Sequence, residues 1–305
     1  MIGTIIKAYG GFYFVATEKG VIECRLRGKL KKGRIEPLVG DSVEVDPAGA
    51  IEKILTRKET VLLRPKIANV NQTVLVFSVK KPDLELPLLD RFILLSEVAG
   101  IEPVICLNKK DLLPKAEKQP LPGSIWAEIK EIYEKAGHKI VYTSAKTGDG
   151  IEDLAKFMEG KISVMAGPSG GGKTSVLNAI EPGLKLKVGE LSERAARGKH
   201  TTRAVELLQL GRDKNILVAD TPGFTALDLT HIYFWRLQDF FPEFQKFVGK
   251  CRFGSNCLHE KEPGCKIKEA AEKGAVAKSR YESYLGFLKE IKGKRKYRFE
   301  YRRKT

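Results

Sequence analysis

The string Asn108-Lys109-Lys110-Asp111 stands ahead of Gly167-Pro168-Ser169-Gly170-Gly171-Gly172-Lys173-Thr174, and that order constrains the chain more than either string alone. The second string fits G-x-x-x-x-G-K-[ST]. Its glycines let the backbone curl until several N–H groups aim at one phosphate. The apolar run 162–166 reads as a strand leading in, and residues 173–180 as a helix leading out. The N-terminal dipole of that helix favours an anion. Lys173 is then expected to reach the β- and γ-phosphates, the Thr174 hydroxyl to ligate Mg²⁺, and Ser175 to sit among the phosphate contacts. In the usual order the phosphate loop leads and the base reader follows. Here the parts list is complete and the order is rotated.

The first string reads guanine. The two oxygens of Asp111 match the N1–H and the exocyclic amine of that base, a donor pair that adenine lacks. Asn108 can bond the base edge and brace the phosphate loop, while the Lys109 stem lies over the purine face. Lys110 completes the motif. The strand 102–107 brings these residues to a strand's C-terminal end, where open α/β sheets bind ligands. After a second strand, 138–142, Thr143-Ser144-Ala145-Lys146 matches the loop whose backbone amide meets the guanine oxygen in GTPases.

Asp220-Thr221-Pro222-Gly223 ends the apolar strand 215–219. Asp220 is expected to hold Mg²⁺ through water and the Gly223 amide to meet the γ-phosphate. Between it and the phosphate loop, residues 194–203 are basic and Gly-punctuated, as in a switch loop ordered by the γ-phosphate. Thr202 is expected to complete the Mg²⁺ shell, with Thr201 as the alternative. Many GTPases place a glutamine just after D-x-x-G to orient the attacking water. Phe224 stands there and can do no such thing, which predicts slow intrinsic turnover. His200 is the nearest water-positioning group, and it reads equally well as a surface or RNA-contacting histidine.

The flanks carry separate signals. Residues 1–65 hold five short β-rich segments, 3–8, 11–16, 21–26, 43–45 and 50–55, separated by turn residues. An RNA-gripping OB-fold and an SH3-like barrel both fit them. Near the other end Cys251, Cys257, His259 and Cys265 are spaced C-x5-C-x-H-x5-C. Three thiolates and one imidazole make a closed tetrahedral zinc set with no open catalytic position. The odd count of 5 cysteines and the lack of a secretory signal argue against disulfides. Cys24 and Cys106 read as buried small hydrophobes.

The rotated motif order together with Arg197-Gly198-Lys199-His200-Thr201-Thr202 resembles the circularly permuted RsgA (YjeQ or YloQ) family of GTPases that bind the small ribosomal subunit. The resemblance covers nearly the whole chain. It implies an OB-fold at residues 1–65, a permuted α/β GTPase domain at 66–228, and a helical zinc module with a basic tail at 229–305. It also implies a GTPase of late small-subunit maturation, stimulated by the subunit and released on hydrolysis. Its partners would be the subunit, its rRNA and GTP or GDP, and it would need Mg²⁺ with the nucleotide and one structural Zn²⁺. A non-hydrolysing RNA-binding scaffold with nucleotide as structural ligand is the alternative. In this family four residues usually separate the first two zinc cysteines, so the five at 252–256 are expected to bulge.

Charge agrees with an RNA partner. Lys+Arg 54 against Asp+Glu 38 gives +16, and residues 289–305 concentrate Lys and Arg, with Tyr297, Phe299 and Tyr301 interleaved. No apolar run is long enough for a membrane span, and no signal-peptide core opens the chain. A soluble, cytoplasmic monomer without a membrane partner is expected.

Overall fold

The computed structural model describes residues 1–28, 36–57, 60–63, 66–114, 123–187, 206–211, 215–219 and 227–302. Alternation of apolar and polar residues sets the first element group. Strands β1 (Ile2–Tyr9), β2 (Phe12–Thr17), β3 (Gly20–Leu26), β4 (Ser42–Val45) and β5 (Ala50–Ile54) close into a barrel. The barrel order is β1-β2-β3-β5-β4, with β4 returning to β1. Only β3 and β5 pair in parallel. That Greek-key closure is OB topology, so the SH3-like alternative falls away. Ile5, Val15, Cys24, Val43, Val45 and Ile51 fill the interior. A register shift between Ile5 and Lys7 bends β1, which closure of so small a barrel requires.

A two-stranded unit, β6 (Thr60–Leu63) with β7 (Lys66–Val70), leads into the central sheet. The sheet contains β8 (Gln72–Ser78), β9 (Glu102–Asn108), β10 (Lys139–Tyr142), β11 (Ile162–Ala166), β12 (Leu207–Leu210) and β13 (Ile216–Ala219). Their spatial order is β10-β9-β8-β11-β13-β12, parallel except for β12. Every residue of β8 is buried, as a central strand covered on both faces demands. Helices α1 (Leu86–Val98) and α2 (Ile125–Lys135) cover one face. Helices α3 (Ile151–Met158) and α4 (Lys173–Ile180) cover the other.

The rotated sequence order is visible in this sheet. Strands β8, β9 and β10 form one half and carry the base-reading strings. Strands β11, β13 and β12 form the other half and carry the phosphate loop. The halves join where β8 pairs with β11, Gln72 to Ser163 through Leu75 to Ala166. Chain order reverses across that seam, which is the switch point where α/β sheets open a ligand crevice.

The barrel rests on the sheet, because Ile162, Val164, Leu207 and Ala219 share a core with the barrel residues. Beyond the sheet come short 3-10 segments, then α5 (Lys266–Glu272) and the 25-residue α6 (Lys278–Arg302). Their core includes Leu94 and Leu95 of α1, so this C-terminal module packs on the sheet's first helix. A buried polar cluster fastens the contact. Arg280 of α6 donates to Asp90 of α1 at 2.8 Å and to Glu243 at 2.7 Å. Tyr133 of α2 and Ser283 of α6 also donate to Asp90. Among the described residues no helix is long and apolar enough to cross a membrane.

Candidate nucleotide site and metal centre

The phosphate loop leaves β11 and enters α4 with three glycines at positive φ, Gly167 at 132°, Gly170 at 79° and Gly172 at 98°. Those values exclude ordinary side chains on backbone grounds. Space excludes them too. A Cβ on Gly167 would lie 2.2 Å from the Val76 carbonyl, and one on Gly172 would lie 2.3 Å from Asn108 Nδ2. The loop is therefore pressed against β8 and against the base-reading motif. Lys173 donates to the Gly167 and Pro168 carbonyls, both at 2.9 Å. Burial pushes its amine below the usual lysine range. An anion in the loop offsets that desolvation, so phosphate binding and protonation of Lys173 reinforce each other. Thr174 is buried one residue on, at the start of α4, and Ser175 follows it.

Asn108, the last residue of β9, holds three strings together. Its Nδ2 donates to the Gly171 carbonyl at 3.2 Å. Its Oδ1 accepts from the Ala145 amide at 3.1 Å and from the Thr143 hydroxyl at 3.3 Å. Asp111 receives the Ser144 hydroxyl on Oδ1 at 2.7 Å, which aims the carboxylate. Lys109 is left-handed at φ 66°, and its amine donates to the Lys81 carbonyl. The segment after β8 thus borders the same site, with Pro82 beside Gly170. A bound purine at Asp111 and a phosphate at Lys173 would share one crevice over the β8–β11 seam.

The expected residues Asn108, Lys109, Lys110, Asp111, Ser144, Ala145, Lys146 and 167–175 converge at the carboxyl ends of β9, β10 and β11. His200, Thr201, Thr202, Asp220, Gly223 and Phe224 lie outside the described residues. The Lys81 carbonyl and Pro82 also border the site, and no string in the sequence announces them. Cys106 is buried, as a small hydrophobe is expected to be, and its thiol lies 3.2 Å from Thr143 Oγ1 beneath the base-reading loops.

The second site sits in the C-terminal module. The ligand atoms of Cys251, Cys257, His259 and Cys265 lie within 4.8 Å of one another, and all four residues are buried. Cys251 and Cys265 sulfurs are 3.9 Å apart, and His259 Nδ1 is 3.6 and 3.3 Å from them. A tetrahedron with Zn–S bonds of about 2.3 Å has edges of about 3.8 Å, so the set fits zinc. His259 Nε2 lies 2.6 Å from Gln238 Oε1, which fixes the tautomer that turns Nδ1 to the sulfurs. Backbone N–H groups of Lys266 and Lys268 donate to the Cys251 and Cys265 sulfurs. Burial first, and then the neighbouring Cys265 and Cys251 sulfurs, push the Cys257 thiol up to about 12, so the thiolate form depends on a cation. A 3-10 turn at Gly254–Asn256, with Gly254 at φ 56°, lies within the five residues that separate Cys251 from Cys257. Gln238 lies well before the cysteines and carried no sequence signal.

A phosphate loop and a guanine reader on the two halves of a permuted parallel sheet define a circularly permuted P-loop GTPase. Comparison with known proteins narrows the class. The family description RsgA GTPase matches residues 52–230, and the description RsgA N-terminal domain matches residues 2–52. The chain is 47% identical to the small ribosomal subunit biogenesis GTPase RsgA of Caldanaerobacter subterraneus subsp. tengcongensis, covering 98% of both chains. It is 44% identical to the protein of that name from Geobacillus thermodenitrificans, covering 95% of this chain and 97% of the other. Among solved structures, YjeQ from Thermotoga maritima superposes with a TM-score of 0.78 at 39% identity, covering 96% and 98%. YloQ, described as a circularly permuted GTPase, gives 0.77 at 39% identity, covering 96% and 95%. The chain belongs to the RsgA GTPase family.

Proposed function

We propose that the chain hydrolyses GTP during biogenesis of the small ribosomal subunit, binding that subunit with GTP and leaving it with GDP. The observation that carries this reading is the Asn108–Gly171 contact, which sets a guanine reader and a phosphate loop to span one nucleotide. Family membership and the relatives' shared description support the ribosomal assignment.

In this reading Asp111 takes the guanine N1–H and amine, and the Ser144-Ala145-Lys146 loop offers the guanine oxygen a backbone amide. The Lys109 stem covers the ring. Residues 167–175 wrap the phosphates, with Lys173 between β and γ. Mg²⁺, held by Thr174, Thr202 and Asp220, would neutralise charge on the transferred phosphoryl group. Gly223 reports the γ-phosphate, and His200 positions water once the subunit orders the switch loop. The units run 1–65, 66–228 and 229–305. The protein works as a cytoplasmic monomer on rRNA, with no membrane partner.

The test is GTP turnover by purified protein alone, with small subunits, and with large subunits. Acceleration by small subunits only is expected. Equal rates in all three, or faster ATP than GTP turnover, overturn the proposal.

A further inference from the structure

The open position of N-K-x-D is Lys110, and its contacts run to the protein. Lys110 Nζ pairs with Asp149 Oδ2 at 2.8 Å, and the lysine side chain is only 17% exposed. Its backbone N–H donates to the Thr143 carbonyl at 3.0 Å. Lys110 thus touches both ends of the 143–149 loop, which carries Ser144 and Ala145 near its start.

Those bonds close a ring. Asp149 takes the lysine on its side chain and the Ser144 amide on its carbonyl at 2.8 Å. Ser144 in turn places its hydroxyl on Asp111 Oδ1 at 2.7 Å, and Asp111 adjoins Lys110. The backbone just after Asp149 is tightly placed. The next residue, Gly150, is at φ 70°, and a Cβ there would lie 2.1 Å from the Tyr142 carbonyl.

We infer that Asp149, outside every motif, is a positioning residue for base selectivity, acting through Lys110 and Ser144 to fix the Asp111 carboxylate. The inference rests on the guanine-reading role proposed above for Asp111. Asp149 touches no nucleotide; it sets the loop register that two hydrogen bonds to one base require. An exposed ion pair with no further connections would contribute little. This one is the outer closure of a ring that runs through buried Ser144 to the half-buried Asp111, so slack in it reaches the carboxylate.

The experiment uses full-length, zinc-loaded protein and fluorescent GDP, GTP and IDP, the last lacking the exocyclic amine. Asp149→Asn and Lys110→Met are each expected to weaken GDP about five-fold, the scale of one charge-assisted contact. Both are expected to narrow the preference for GDP over IDP. The exchanged pair Lys110→Asp/Asp149→Lys is expected to recover GDP affinity to within about two-fold of the parent. GDP affinity and GDP:IDP preference unchanged in both single variants would overturn the inference. So would losses that leave the preference intact, because those report general loosening. Wild-type protein with no preference for GDP over ADP would instead sink the guanine-reading role itself.

Discussion

At the scale of single residues, the site works because particular atoms are missing. Gly172 leaves room for Asn108 Nδ2, and no other residue offers both that space and φ 98°. Gly172→Ala would push the amide aside and strain the loop by about 1–3 kcal/mol. GDP affinity measured by calorimetry should drop by about 5- to 150-fold, the affinity equivalent of that strain, while the fold survives. Asp111→Asn tests the other end. An amide donor suits a base with a carbonyl at C2, so the variant should lose GDP and gain xanthosine diphosphate. Competition binding with both nucleotides reads this directly.

Much of this was legible in the chain, for a physical reason. Phosphate loops and N-K-x-D are contiguous strings, and their chemistry follows from residue type and short spacing. Strand β11 and helix α4 fall where the apolar runs ended, because loop glycines bound them sharply. Asp149, Gln238 and the Lys81 carbonyl were silent. Each acts by meeting a distant stretch of backbone or side chain, and no local pattern records such a meeting. The barrel gave its strands by alternation, whereas its closure order depends on long-range pairing between β3 and β5 and between β1 and β4.

Between elements, the joint of α1 with α6 is held by a buried charge cluster. Arg280 is 1% exposed and faces Asp90 at 0%, so removal of the guanidinium leaves buried carboxylates without their cation. Arg280→Met should destabilise by about 3–5 kcal/mol, seen as a lower thermal midpoint. Arg280→Met with Asp90→Asn and Glu243→Gln should recover much of it. A second contact joins α1 to the approach of β10. His138 Nδ1 lies 3.8 Å from Glu97 Oε1, which reads as an ion pair by distance. Burial says otherwise: it holds His138 down to about 3 and raises Glu97 to about 7, so both are neutral between those values. The unfolded histidine protonates near 6.5, so its contribution is present above that pH and is lost as pH falls toward 3. Glu97 acts oppositely, costing stability as pH rises from 4.5 through about 7. His138→Gln removes the first effect. Denaturant midpoints should then favour the variant at pH 5 relative to pH 7 by about 2 kcal/mol against the parent.

For the molecule as a whole, the C-terminal module depends on metal and the central domain on its seam. Stripping zinc with a chelator leaves three buried sulfurs and an imidazole without a centre. The core around Phe244 and Tyr284 should then loosen first, visible as faster amide exchange across 241–288 than across β8. The seam has a different consequence. Strands β8 and β11 come from stretches of chain separated by 83 residues, counted from Ser78 to Ile162 as 162 − 78 − 1. A guanine nucleotide gripped by both halves would act as a rivet driven through that joint. Filling and emptying the crevice would then tighten and slacken the very plate on which barrel and zinc module are both mounted.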